Sequence, residues 1–276
     1  MAGIASALSD RDTVSSSLYI NHWGKARPVA GDGPRWHPLA YHSLDVAAVG
    51  CALLDADPRL LARLAGVSGL DEAAVLRWTF LALALHDVGK FAPAFQAKEA
   101  NLFAALFGAD GWRGPDTGHD QDGRLLWNAR LNERENVLEA FAGRGAGRQH
   151  HQREAISAWT ESAICHHGRP RAIRSDHLLA DRFKAEHLAA VDDFLAAVLG
   201  LAQNIGCAAD TPPPDQRRTS WLVAGIAVLA DWIGSNQDWF PYCGPEDFAD
   251  LSAYWREWAA PRAVPWSRTR MKVPPV

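Results

Sequence analysis

Apolar residues return at the three- and four-residue spacing of helices through most of this chain, and no turn dipeptide lies between two alternating apolar runs as a hairpin would need. The expected fold class is therefore all-α. Helices are predicted over residues 38–55, 71–88, 101–107, 119–141, 150–166, 175–186, 188–202, 217–233 and 245–258. Gly89, Gly143, Gly168 and Gly234 each stand just past a periodic segment, where a left-handed capping residue is wanted. Residues 108–118 read as a loop, as do residues 208–215 with Pro212, Pro213 and Pro214.

The 276 residues, 48% of them hydrophobic, suffice for one large core. One compact domain is expected over 19–260, after a flexible N-terminus (1–18) and before a linker-like tail (261–276) that is basic and contains proline. Four cysteines without CxxC spacing suggest neither a zinc knuckle nor a disulfide framework, and fit a reducing cytoplasm. The first residues lack the basic and apolar regions of a signal peptide. The longest apolar run, 221–230, is too short to span a bilayer, so no membrane partner is expected. There is no GxxxxGK[ST] phosphate loop, hence no sign of ATP hydrolysis. A net charge of -4 means that nucleic acid must be met by a local basic patch. Arg169, Arg171 and Arg174 offer one, with Arg144, Arg148 and Arg153 upstream, although solvated surface arginines explain the same residues equally well.

His86-Asp87 places two metal-ligand side chains where the apolar segment from Val75 to Leu85 ends. A second such pair, His119-Asp120, shows that the dipeptide alone identifies nothing. Its weight comes from His42, His119, His166-His167 and Asp231, each at or inside an apolar helical pattern. His42 shares a helical face with Val46 and Val49 and should point inward, as a ligand or as a hydrogen-bonded core histidine. Asp231 follows a stretch that is apolar on every face and hence expected to be buried. Its desolvation calls for a metal, a cation such as arginine, or several hydrogen bonds. His166 and His167 are adjacent, so they can serve one metal together only where the helix is ending, as Gly168 suggests. These five imidazoles and two carboxylates suffice for two metals bridged by one carboxylate. Mixed nitrogen and oxygen ligands favour manganese, iron, cobalt or nickel over magnesium, and two such ions about 3.5 to 4 Å apart can activate a hydroxide for in-line displacement at phosphorus.

The segments Trp23-Gly-Lys25, WHPLAYHSLDVAA from Trp36, LHDVGKFAPAFQ from Leu85, CHHG from Cys165 and ADWIGSN from Ala230 resemble the HD superfamily of metal-dependent phosphohydrolases. Within it they are most similar to the HD nuclease domain of the CRISPR type I helicase-nuclease, over residues 20 to 260. The resemblance implies a compact helical bundle with a dinuclear site. His42, His86, Asp87 and Asp231 would hold one metal; Asp87, an intermediate histidine and the His166-His167 pair would hold the second, with Asp87 as bridge. His119 is the favoured intermediate ligand, His150 and His151 being rivals. Lys90 would stabilise charge on the pentavalent phosphorus, unless it serves at the surface or at a helix end. The implied activity is hydrolysis of single-stranded DNA, endo- or exonucleolytic, in antiviral defence. The implied partners are a helicase domain or subunit and the CRISPR surveillance complex, with Arg169, Arg171 and Arg174 tracking the strand. The competing functions are nucleotide or cyclic-dinucleotide hydrolysis by the same ligands, and a non-catalytic scaffold docking through Trp112, Trp239, Trp255 or Trp258.

Overall fold

The computed structural model describes residues 17–27, 33–108, 111–144, 150–168, 178–209 and 216–264. In chain order its elements are strands β1 (Trp23–Ala26) and β2 (Trp36–Pro38), then helices α1 (Leu39–Ala56), α2 (Pro58–Ser68), α3 (Glu72–Ala84), α4 (Pro93–Gln96), α5 (Ala100–Phe107) and α6 (His119–Ala129). There follow α7 (Glu135–Ala142), α8 (His150–Ile164), α9 (Leu179–Arg182), α10 (Ala185–Ala202), α11 (Gln216–Gly234) and α12 (Leu251–Tyr254). The class is all-α, as expected.

Helix α1 is apolar nearly all round and sits in the middle, packed by α3 and α11, with α8 lying against both of these. It is long and apolar enough to cross a membrane, yet 83% of it is buried inside the protein, as a central core helix must be. Aromatic rings fill the space between layers: Trp78 meets Trp159 and Phe141 edge-on, and its indole N–H donates to the Phe141 carbonyl at 2.7 Å. A buried polar knot fixes the start of α1. The Cys243 N–H donates to Nδ1 of His37, leaving Nε2–H of that ring to donate to Asp45 at 3.0 Å, while the Tyr254 hydroxyl donates to the other Asp45 oxygen at 2.7 Å.

Several elements depart from the sequence expectation. Strands β1 and β2 pair antiparallel and form the one sheet among the described residues; at four and three residues they are too short for an alternating pattern to stand out. Helix α2 lies outside the predicted set, although Asp57 caps it through the Arg59 and Leu60 N–H groups and Pro58 opens it. The predicted helix over 71–88 stops at Ala84, and residues 88–91 form a 3₁₀ turn. The predicted helix over 119–141 is broken at Arg130, where Arg130 and Arg134 both turn to Asp192 of α10 at 2.6 and 2.5 Å. The predicted helix over 175–186 falls partly outside the described residues; the part within them ends at Arg182, and α10 starts at Ala185. The final helix starts at Leu251 rather than 245 and runs on through a π-turn, with helical residues to 264, past the expected boundary at 260.

Gly143 and Gly168 have positive φ (78° and 139°), but Gly89 and Gly234 do not. Those two glycines answer a different need, close approach. A Cβ on Gly234 would stand 3.0 Å from the Val46 backbone nitrogen, so it lets α11 touch α1. One on Gly89 would stand 1.8 Å from the His119 carbonyl oxygen and 2.4 Å from the Gly123 nitrogen, so α6 rests directly on the 3₁₀ turn. Because the clash is with backbone, Gly89→Ala is expected to lower unfolding free energy by about 2 to 3 kcal/mol in urea titration. A loss below about 0.5 kcal/mol, within ordinary surface-substitution range, would show that α6 can move off this turn.

Candidate metal centre

Five helices end or begin at one point in the core. His42 stands in the first turns of α1, His86 and Asp87 in the turn that stops α3, His119 at the first position of α6, and His166 and His167 in the turn that stops α8. Asp231, in the last turn of α11, completes the group.

His42 Nε2 lies 3.2 Å from Asp87 Oδ2 and 3.3 Å from Asp231 Oδ1, and His86 Nε2 lies 3.3 Å from Asp87 Oδ2. One ligand atom from each of these four buried residues falls within 4.8 Å of the others. Asp87, His119 and His167 meet the same condition. Here it is the other Asp87 oxygen, Oδ1, that faces His119 Nε2 at 3.3 Å, while the Nε2 atoms of His119 and His167 are 3.0 Å apart. Asp87 thus belongs to both sets through different oxygens. The two adjacent histidines diverge: His166 Nε2 lies 3.6 Å from Asp231 Oδ2 and its ring packs on His86, whereas His167 goes to the His119 side. The family resemblance implies instead that both serve the second metal.

His150 and His151 are exposed at the far end of α8, about 20 Å away along a helix of that length, so the histidine beside Asp87 is His119. Arg169, Arg171 and Arg174 lie outside the described residues, as does Arg148, and Arg153 pairs with Glu133 at 2.9 Å.

Helix termination also orients the rings. Nδ1–H of His86 donates to the Leu83 carbonyl at 2.7 Å, and Nδ1–H of His166 donates to the Ala163 carbonyl at 2.9 Å. Both carbonyls sit in a last helical turn, where each also accepts the backbone N–H of the same histidine at 3.2 Å and has a second lone pair for the ring. Each bond turns the Nε2 lone pair of its ring toward the cluster, as a metal ligand requires. The Nε2 atoms of His42, His86 and His166 and both Asp87 oxygens are buried without any hydrogen bond. Lys90 pairs with Asp87 Oδ2, but the three Nε2 atoms and Asp87 Oδ1 converge at contact distance with no hydrogen-bond partner, a costly arrangement that a divalent metal would relieve.

Charge arranges itself accordingly. Burial works against ionising Asp87, but Lys90 and His86 hold its carboxyl well below the usual range; His42 and His86 do the same for Asp231. Burial and Lys25 push His42 down to about 4, and burial and His86 push His166 down to about 3. Burial disfavours the charged form of His86 too, yet Asp87 and Asp231 outweigh it and raise that ring to about 9, so metal binding must displace its proton. Lys90 is neither at the surface nor free. Its ammonium contacts Asp87 at 2.5 Å and donates to the Gly24 carbonyl.

Two contributors escape a reading of the sequence. Lys25 approaches Asp231 at 3.7 Å; its motif stands out in the sequence, but its place depends on the β1–β2 pairing. Arg182, buried, pairs with Asp122 at 2.5 Å and also binds Thr117, pinning the first turn of α6 and with it His119. Nothing local in the sequence joins residues 60 apart.

Residues 23–240 match the family model described as Cas3, HD domain, a span that holds all seven ligand candidates. The chain belongs to the Cas3 HD domain family. It is similar to the CRISPR-associated endonuclease/helicase Cas3 of Escherichia coli strain K12, with 28% identity over 265 residues, 87% of this chain and 29% of that protein. A stretch of 69 residues is 45% identical to the CRISPR-associated endonuclease/helicase Cas3 of Thermus thermophilus, covering 25% of this chain and 8% of that one. The Thermus thermophilus cas3 HD domain, crystallised in the presence of Ni2+, superposes with a TM-score of 0.61 at 25% identity, covering 94% of this chain and 92% of the other. This Cas3 HD chain thus spans under a third of the curated relatives' length but nearly all of a separately crystallised HD domain.

A ligand that binds only the folded state stabilises it. Ni2+ at a hundred times its Kd is therefore expected to add about 2.7 kcal/mol to wild-type stability, read as a rise in Tm. Asp87→Ala, which removes the carboxylate common to both sets, should abolish the rise; an undiminished rise in that variant would place the metal elsewhere.

Proposed function

We propose that this chain is the nuclease domain of a type I CRISPR helicase-nuclease, acting in the cytoplasm. It hydrolyses phosphodiester bonds of single-stranded DNA with two divalent transition ions. The carrying observation is the split of Asp87, with Oδ2 facing His42 and His86 and Oδ1 facing His119. Such a split suits two ions sharing one carboxylate. Manganese, iron, cobalt or nickel fits a shell of this many imidazoles better than magnesium does. When bound, the ions would supply Lewis acidity, lowering the pKa of water and offsetting charge at phosphorus.

The chain's own residues do the rest. His42, His86 and Asp231 hold the buried side of Asp87, with His166 beside Asp231, while His119 and His167 hold the side open to solvent. Lys90 contacts Asp87 rather than solvent, so it balances and orients the bridging carboxylate. Arg169, Arg171 and Arg174 follow the His166-His167 turn in sequence and are proposed to carry the strand's phosphates past it. The four cysteines are free thiols, which suits a reducing compartment.

The surveillance complex and a helicase are the proposed partners, since the matched Cas3 proteins are far longer and bear the name endonuclease/helicase. Helix α11 offers a place for the helicase. Its sequence pattern predicts full enclosure in the core, with exposed tryptophans expected instead at Trp112, Trp239, Trp255 and Trp258. The structure half-buries those four and exposes Trp221 (83%) and Trp232 (73%), aligned with Gly225 and Leu229 along one apolar face. A protein-protein interface typically has such a centre, rich in tryptophan and poor in charge. Replacing Trp221 and Trp232 together by Glu is expected to leave metal binding intact and to weaken helicase association at least tenfold in a pull-down titration; equal affinity would remove α11 from the interface.

The activity is tested with circular single-stranded DNA and no ATP, comparing manganese, nickel, cobalt and magnesium. Cutting by wild type with the transition ions, lost in Asp87→Ala, is expected, and attack on a circle identifies endonucleolytic cleavage. Metal content after dialysis should fall by half in His119→Ala and to background in Asp87→Ala. Metal-loaded wild type that leaves DNA intact but hydrolyses a nucleotide or cyclic dinucleotide would replace this reading.

A further inference from the structure

The two lysines at the centre are held very differently. Lys90 is 5% exposed and committed to Asp87 at 2.5 Å. Lys25 keeps 26% of its side chain in solvent and stands 3.7 Å from Asp231 Oδ1, an ion pair without hydrogen-bond length. Its position is built by the backbone. The β1–β2 register slips between Trp23 and Lys25, a bulge of the kind that re-aims a side chain. Gly24 lets this bulge press on the start of α1, since a Cβ there would lie 2.8 Å from the Leu39 Cα and 3.3 Å from the His42 Cβ. Lys25 is thereby delivered to the rim of the buried ligand set, beside the carboxylate least covered by its neighbours.

Without metal, Asp87 and Asp231 each have an ammonium beside them, Lys90 and Lys25 respectively. Any divalent ion taken up by Asp231 leaves the centre with surplus positive charge and Lys25 facing another cation. Lys90 is enclosed and cannot leave. Lys25 can, because 26% of its side chain stands in solvent and its ammonium is held only loosely, 3.7 Å from Asp231. An anion entering beside the ions would remove the surplus, and a phosphodiester is the anion a nucleic-acid strand brings.

We propose that Lys25 is a phosphate-binding residue: it pairs with Asp231 only until metal is bound, then turns to a non-bridging oxygen of the substrate backbone and positions that phosphate over the centre. This rests on the nuclease reading above. Lys25 then has two partners in succession, so removing its charge should affect metal and strand in opposite directions.

The test uses Lys25→Met, which keeps the length of the chain, and Lys25→Arg, which keeps the charge. Metal affinity is read by calorimetry and strand affinity by anisotropy of a labelled single-stranded oligodeoxynucleotide, on metal-loaded protein at several salt concentrations. Lys25→Met is expected to bind metal as tightly as wild type or tighter. Its strand affinity should fall about tenfold, and its log-log salt dependence should become shallower by about 0.7, the value of one lost single-strand phosphate contact. Lys25→Arg should recover most of the affinity and the salt slope. Loss of metal by Lys25→Met, or strand binding and salt slope equal to wild type, would overturn the proposal. Should metal-loaded wild type bind no strand at all, the nuclease reading fails separately, and titration with inorganic phosphate then decides on Lys25: binding weakened in Lys25→Met supports it, binding unchanged refutes it.

Discussion

An ionised carboxylate cannot remain in a protein core without compensation, and Asp87 is 1% exposed. The architecture around it can be understood as the means of that compensation. Lys90 contacts it from the following 3₁₀ turn, His42 and His86 approach one oxygen and His119 the other, all within 3.3 Å. Every one of these groups sits on a different element, so the residue that makes the core least stable by itself also ties α1, α3, α6 and the turn after α3 into a single arrangement. Its burial, with Oδ1 lacking any hydrogen bond, is a standing cost that metal binding would offset by stabilising only the folded state.

Helix ends supply the precision. Side chains in the middle of a helix point away from one another at about 100° per residue, which would scatter adjacent ligands. Here the pairs His86-Asp87 and His166-His167 both occupy turns just past a helix, and their chain conformation is no longer bound to that angle. The same ends let a carbonyl three residues back accept both the backbone and the ring N–H of the histidine and so fix ring orientation: Leu83 for His86 and Ala163 for His166. Two unrelated stretches of sequence thus solve one problem identically. Gly89 and Gly168 follow these pairs for different reasons, contact with α6 in the first case and a positive φ in the second.

What the sequence reveals, and what it conceals, follows from range. Helix class, the inward direction of His42 and the burial of Asp231 depend on the local apolar pattern, which is nearly continuous in α1 and α11. Breaks caused by distant partners leave no local trace: Arg130 and Arg134 look helical until Asp192 of α10 is placed opposite them. The hairpin carrying Lys25 is invisible because seven strand residues hold too few alternations. Helix α11 misleads in the opposite way. A helix that is apolar on every face suggests enclosure on every face, whereas α1, α2 and α8 cover only part of it and leave Trp221 and Trp232 outside. The pattern records which faces avoid water, not whether the partner that shields them lies within the same stretch of chain.

The two ligand sets differ in their access to solvent, and this asymmetry gives the centre a direction. His42, His86, Asp87 and Asp231 are all buried, but His119 is partly open and His167 exposed. An ion on the first side would exchange slowly, because its ligands cannot move apart without disturbing α1, α3 and α11 together. On the second side the ligands come from the start of α6 and the turn after α8, and the first of these is steadied from behind by the buried Arg182–Asp122 pair. The His119–His167 side is therefore the open face of the centre. Since Lys25 stands partly exposed at the rim beside Asp231 while Lys90 is buried, that face presents an open ligand pair and one partly exposed cation, with the rigid set beneath.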